Sequence, residues 1–490
     1  MLNLEQRIKI AGVKVSPFQY IDGRRVLSKA TFLNFSPIDG SILCEMSAAD
    51  QSDVDAAVQA AYRAFPEWAA LGSTGRGEYL RRLADIIEAN AEKIAQVETA
   101  DNGSLLAANL HFMVKRSAHN IRFFADWAEK LQGEGWDSNG IRYKVHYDPS
   151  GVTALITPWN APFMLTTWKV GPALAAGNPI VIKPPEWAPL TCSLLADFAE
   201  EAGIPPGVIN IVQGIGEVAG AELVNHPLVN RISFTGSTDT AKIIGSAAAK
   251  RIVPVSMELG GKSPFIIFAD ADMDAAVSHA LAQFNNAGQV CLAGTRLLVE
   301  ESIEKEFLEK FSQRAKQLKL GDPRQKEIRV GPLISQEHFD RVSGFVERAK
   351  REGAKPLFGG GPSKEQGGLF FEPTLFIDVP KDAEILKKEV FGPVLTFQTF
   401  KDEEEAIRMG NDTDYGLAAT VFTGEETRGE RVGQKLRAGT VWVNTYYARD
   451  LKAPFGGSKQ SGIGREGGTH SFDFFCDVKT LSHKMGSFYH

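Results

Sequence analysis

At 490 residues the chain exceeds what one simple core organises, so two or three domains are expected. Its composition is ordinary globular, with 43% apolar and 23% charged residues. A formal charge of −6, with no dense basic tract, gives no footing for nucleic acid. No uninterrupted apolar run reaches membrane-spanning length, and Met1 to Arg7 lacks the apolar stretch of a secretion signal. Cys44, Cys192, Cys291 and Cys476 are scattered, without CxxC or Cys/His ligand spacing. That argues against a disulfide scaffold and a zinc site; no metal is expected, and the cytoplasm is the expected setting.

In chain order, residues 1–50 read as an irregular start with short strands, turning at Phe35 to Gly40. A helix starts after Asp50, with Val54, Ala57, Val58 and Ala61 at helical spacing. Further helices cover roughly 74–132, and one carries Arg116, which alone would read as a solvated helix charge. Residues 141–147 alternate as an exposed, two-faced strand. From Gly151 strands and helices alternate. Strands are expected at 152–156, 179–183, 208–212 and 231–235, with helices over 166–176 and about 190–202. This order predicts a doubly wound parallel α/β sheet with ligands at the carboxyl ends of its strands. A second α/β unit starts at 264–268, continues through a helix from Asp272 and a capped helix over 303–319, and ends near 441–444. The Gly-rich stretch 359–368 reads as a surface loop, and 472–481 as another alternating strand.

Three stretches carry chemistry. Phe284 to Arg296 sets Cys291 between glycines, after two amides and before an arginine. A lone cysteine is more often a small buried hydrophobe. A reactive thiol, however, needs room for a carbonyl and nearby donors, which glycines and backbone N–H groups give. Met257-Glu258-Leu259-Gly260-Gly261-Lys262 supplies a carboxylate, and Pro158-Trp159-Asn160-Ala161-Pro162 an amide. Base, nucleophile and oxyanion donor are then all present. The GxGxxG fingerprint is absent; Gly236-Ser237-Thr238 follows a strand and opens a helix, as either a phosphate site or a plain cap.

With Glu389-Val390-Phe391-Gly392-Pro393-Val394 and the segment 454–466 (PFGGSKQSGIGRE), these stretches resemble the aldehyde dehydrogenase superfamily from about Phe32 to Leu481. The resemblance implies NAD-dependent oxidation of an aldehyde to an acid, through a Cys291 thiohemiacetal and thioester. Glu258 would be the base and Asn160 an oxyanion donor, with Lys169 and Glu466 passing the proton outward. The presence of Glu258 favours a free acid product over acyl transfer. NAD would lie against Ile156, Thr157, Pro158, Trp159, Lys183, Glu186, Gly214, Gly236, Ser237, Leu259, Glu389 and Phe391. A carboxylate at Glu186 would repel a 2′-phosphate, so NADP is the lesser expectation.

The segments 115–125 and 444–457 further resemble the subgroup that oxidises 2-hydroxymuconate and 2-aminomuconate semialdehydes, where two arginines matching Arg116 and Arg449 bind the substrate carboxylate. Guanidinium forks suit that task. This chain differs in carrying Leu292-Ala293 where the subgroup has Leu-Cys. Alternatives are a general, aromatic or betaine aldehyde dehydrogenase, with Phe163, Trp168 and Tyr446 lining an apolar tunnel, or a catalytically silent relative. The resemblance divides the chain into an NAD-binding domain (1–130 and 150–258), a catalytic domain (259–458) and a β oligomerisation arm (131–149 and 459–490). It implies a homodimer or homotetramer.

Overall fold

The structure is a computed structural model that describes residues 7–131 and 133–486. Among these residues two large sheets dominate. The first is built on five parallel strands: Thr153–Ile156, Ile180–Lys183, Ile209–Ile211, Arg231–Thr235 and Val255–Glu258. All but their ends are buried, and they are rich in Ile and Val, as strands covered on both faces must be. Thr153–Ile156 lies between Ile180–Lys183 and Arg231–Thr235, so the strand order reverses there. Antiparallel strands close the sheet: Gln19–Ile21 and Arg24–Val26 at one edge, Gly462–Ile463 at the other.

The covering helices follow from local sequence. Asp50 caps Gln51–Ala70 through a reciprocal pair with Asp53. Pro162–Ala176 starts with proline and stops at Gly177, whose φ of +102° is left-handed. It packs with Gly72–Ala89, Val114–Lys130 and Leu190–Glu201 in the largest apolar core. A π-helical turn, Asn109–Met113, leads into Val114–Lys130 and so places Arg116.

The second sheet runs Lys355–Phe358, Thr374–Ile377, Val394–Phe400, Arg296–Glu300, Pro264–Ile267, Ala418–Phe422 and Thr440–Val443, and only its first pair is antiparallel. Its phenylalanine-rich core includes Phe265, Phe307, Phe311, Phe376 and Phe397.

Two expectations are corrected. The helix expected over 303–319 is Glu304–Ala315, with no side-chain cap. The strand expected at 472–481 is a helix, Gly468–Phe475, followed by a strand, Cys476–Lys484. Phe472 and Phe475, three residues apart, share a helix face buried in the main core, Phe472 against Phe124. The stretch 459–490 therefore divides: Gly462–Ile463 extends the first sheet, and only Cys476–Lys484 pairs with Ile141–Pro149 in a three-stranded ribbon with Gly135–Ser138.

Candidate active site

Cys291 lies between Gln289 and Arg296, where the chain enters the strand Arg296–Glu300. The approach is sharply kinked: Asn286 and Ala287 take φ of +52° and Gly288 +69°. A Cβ on Gly288 would stand 2.0 Å from the Gly392 carbonyl oxygen, so this turn needs glycine for both dihedral and space. Gln289, buried, pins the turn: its amide donates to the Asn286 and Pro332 carbonyls, and its oxygen accepts from Ile334 N–H. Asn160 Nδ2 donates to the Gln289 carbonyl at 3.0 Å, and Asn286 Nδ2 donates to the Asn160 carbonyl at 3.0 Å. The Pro158-Trp159-Asn160 loop of the first sheet is thus stitched to the cysteine turn beside the second. The Cys291 N–H and one Asn160 amide hydrogen have no partner among the described residues. Both are free to donate.

Cys291 is half-buried, and burial pushes its thiol up to about 12, with the charges of Glu389 and Glu258 adding to the effect. Glu258 ends the strand Val255–Glu258. It is buried, and neither carboxylate oxygen has a hydrogen-bond partner among the described residues. Burial first, then the neighbouring Glu466, holds it well above the usual carboxylate range. A Cβ on Gly456 would lie 2.6 Å from its Oε1, so the 454–457 turn walls it in. Lys169, 1% exposed, donates to Ser233 Oγ and Glu466 Oε1, both at 2.9 Å, and Trp168 Nε1–H donates to Glu466 Oε2. The candidates Cys291, Glu258, Asn160, Lys169 and Glu466 thus fall in one region.

Arg449 is sandwiched between Trp168 and Phe455, its guanidinium carbon 4.1 and 3.7 Å from the two ring centroids. Its Nε and Nη2 are buried without partners. Arg116 donates through Nε to Asn120 Oδ1 (3.1 Å) and through Nη1 to the Arg449 carbonyl (3.5 Å), and its Nη2 is also buried and unpartnered. Burial, and then repulsion from Arg449, lowers Arg116 to about 10. Among the described residues no carboxylate forms an ion pair with either arginine. Tyr446 packs with Trp442 in the apolar cluster that Cys291 borders. Phe163 and Trp168, at 1% and 3% exposure, both pack in the main core, and Trp168 also faces Arg449.

The residues expected at NAD gather at the carboxyl ends of the first sheet, around the reversal in strand order. Ile156, Thr157 and Pro158 leave one strand buried. Lys183 Nζ donates to Glu186 Oε2 at 2.6 Å, and a Cβ on Gly216 would stand 3.9 Å from Glu186 Oε1. Gly214, at φ +157°, turns beside Ala49 and Ala219. Ser237 caps Thr238–Ala249, its Oγ accepting from Thr240 N–H. A Cβ on Gly236 would strike the Phe234 ring at 2.5 Å. Leu259 packs in the core beneath. Glu389 Oε1 accepts from Gly261 N–H at 2.8 Å while its other oxygen takes no hydrogen bond among the described residues, and burial lifts the acid to about 7. A helix N-terminus for phosphate, acids with free oxygens for ribose hydroxyls, and bare glycine edges fit a dinucleotide.

Sequence reasoning missed two residues that hold the Glu389–Phe391 loop. Phe391 has φ +60°, unusual for an aromatic residue. His338, kept neutral by burial that lowers it to about 4, donates from Nε2 to the Phe391 carbonyl at 2.7 Å. Arg341 donates to the Val390 and Glu389 carbonyls, both at 2.8 Å. Both residues lie one turn apart on Gln336–Arg351, which reads as an ordinary amphipathic helix. Trp159 packs edge-on to both His338 and Phe391.

The chain is similar along nearly its whole length to known proteins. The aldehyde dehydrogenase family profile matches residues 26–481. A 2-hydroxymuconic semialdehyde dehydrogenase of Pseudomonas sp. (strain CF600) is 42% identical over 481 residues, 95% of this chain and 99% of that protein. A 2-aminomuconic semialdehyde dehydrogenase of Danio rerio is 42% identical over 95% of this chain and 97% of its own. The crystal structure of betaine aldehyde dehydrogenase from Staphylococcus aureus in complex with NAD+ superposes with a TM-score of 0.94, at 38% identity over 96% of each chain. This chain belongs to the aldehyde dehydrogenase family and is an oxidoreductase.

Proposed function

We propose that the protein oxidises a carboxylate-bearing semialdehyde to the diacid with NAD, through a covalent intermediate on Cys291. The observation that carries the substrate class is the pair Arg116 and Arg449: two guanidinium groups with buried N–H donors that no carboxylate among the described residues hydrogen-bonds. Leaving such donors unpaired costs about 1–3 kcal/mol each, which a bound carboxylate would recover. Arg449 is close enough for its charge to favour the Cys291 thiolate, so an anion there lies within one small substrate's length of the nucleophile. The two relatives named for muconic semialdehydes agree with this class. A betaine-type cation would meet two positive charges.

The chemistry follows from the donors and acids. Cys291 sulfur attacks the aldehyde carbon, and the oxygen is held by the Asn160 amide and the Cys291 N–H, each worth roughly 3 kcal/mol at the transition state. When bound, NAD supplies the hydride acceptor. The thioester left on Cys291 is attacked by a water whose proton goes to Glu258; the acyl carbon–sulfur bond then breaks, releasing the acid and returning the Cys291 sulfur. Lys169, Ser233 and Glu466 form a buried hydrogen-bonded path on which that proton moves away. Glu186 beside Lys183 would accept ribose hydroxyls and repel a 2′-phosphate, which favours NAD over NADP.

The test is the initial rate of NADH formation on aldehydes of matched length with and without a remote carboxylate. The semialdehydes are expected to win. Arg449→Ala should lower kcat/KM for them by about 10- to 100-fold, the worth of a charged hydrogen-bonded pair. Equal rates on neutral aldehydes, unchanged in Arg116→Ala and Arg449→Ala, would make this a general aldehyde dehydrogenase.

A further inference from the structure

We propose that the Tyr447 hydroxyl is a specificity-determining donor that binds a hydroxyl, oxo or amino group on the substrate carbon next to the carboxylate. The inference deepens the anionic-semialdehyde reading and rests on it.

Three observations carry it. Tyr447 has φ +65°, a left-handed conformation that a bulky residue rarely adopts without compensation. The loop that imposes it is fixed at both ends. Asn444, itself at φ +54°, exchanges hydrogen bonds with the Thr423 N–H and carbonyl, and Trp442 Nε1–H donates to the Ala448 carbonyl at 2.7 Å.

The ring is wedged between Phe112, 6.1 Å away on the π-helical turn that leads to Arg116, and Tyr446 at 5.8 Å. It borders the same apolar cluster as Cys291, and its phenol lies within electrostatic reach of Cys291, Arg449 and Arg116. Finally, the phenol makes no hydrogen bond among the described residues, and its side chain is half-buried, so the hydroxyl is open to a ligand. Phenylalanine would serve equally as a wall. Burial raises the phenol's pKa, so it stays a neutral donor beside the two cations.

A substrate that runs from Cys291 to the arginines passes this hydroxyl next to its carboxylate end. The two relatives named for muconic semialdehydes act on compounds with a hydroxyl or an amino group at carbon 2.

The experiment compares adipate and 2-oxoadipate, equal in length and charge, as inhibitors competing with a varied aldehyde. In the wild type 2-oxoadipate is expected to bind about fivefold more tightly, one neutral hydrogen bond's worth. Tyr447→Phe should bring the two inhibition constants within twofold of each other by weakening 2-oxoadipate. Equal constants in the wild type, or a preference that survives in Tyr447→Phe, overturns the proposal while inhibition by both diacids upholds the arginine reading. Failure of both diacids to inhibit overturns both readings together. The wild-type comparison needs no variant, so loss of folding in Tyr447→Phe cannot leave the question open.

Discussion

Two buried acids and a half-buried thiol are expected to set the pH behaviour of this enzyme. The Cys291 thiol, pushed up to about 12 by burial and by Glu389 and Glu258, is protonated across the neutral range. Its thiolate fraction then grows roughly tenfold per pH unit below that value. Inactivation of the free enzyme by iodoacetamide should climb at that slope from pH 7 to pH 10 without levelling. A plateau near pH 8 would mean that the thiol is activated in the resting protein. The sign is opposite to that of an activated cysteine, whose pKa is lowered by a helix N-terminus or a cation. Here the one nearby cation, Arg449, is outweighed by two acids and desolvation. The identity of Cys291, Glu258 and Asn160 was legible because each sits in a short motif with its own chemical logic. Their electrostatics were not, because Glu389 and Glu466 approach from more than 90 residues away in sequence.

At the scale of elements, the site is a junction of turns from two sheets, and glycines allow the junction to close. Gly288 is one of its tightest points, with φ +69° and the Gly392 carbonyl where a side chain would begin. Gly288→Ala must either push the Glu389–Phe391 loop outward or rotate the Cys291 turn. The left-handed conformation alone costs about 1–2 kcal/mol, and the clash adds to it. The variant is expected to remain folded with a melting temperature lower by about 2–4 °C, and to lose at least 100-fold in kcat. Wild-type turnover in this variant would show that the two loops are not coupled. The parallel strands were legible from their apolar runs, and the doubly wound order from their alternation with helices. The helix Gly468–Phe475 was not, because Phe472-Asp473-Phe474 alternates like a strand. What decided it is the face made by Phe472 and Phe475 against Phe124, a contact that exists only once the Val114–Lys130 helix is in place. His338 and Arg341 stayed hidden for the same reason: their partners are backbone carbonyls some 50 residues away.

At the scale of the molecule, the ribbon of Cys476–Lys484, Ile141–Pro149 and Gly135–Ser138 has too little to pack against in one copy. Its outer strand pairs over nine residues on one side only, and eight of those residues are exposed. Val478 and Leu481, on opposite faces, are 52% and 53% exposed, and Trp136, stacked on Tyr143, is 47% exposed. A long strand with an open edge and apolar residues on both faces is what soluble proteins cover or pair. We therefore expect copies of this chain to associate through the ribbon, in a closed symmetric assembly. Sedimentation equilibrium at micromolar concentration should report a dimer or tetramer. Val478→Lys combined with Leu481→Lys places a charge on each face and should shift the mass toward the monomer, with the far-UV spectrum unchanged. The ribbon strand Ile141–Pro149 runs directly into the Thr153–Ile156 strand that delivers Trp159 and Asn160 to the site. The dissociated variant should therefore also lose thermal stability and turnover together. A wild-type monomer at that concentration would show that the ribbon is a solvated appendage and that the site is complete within one chain.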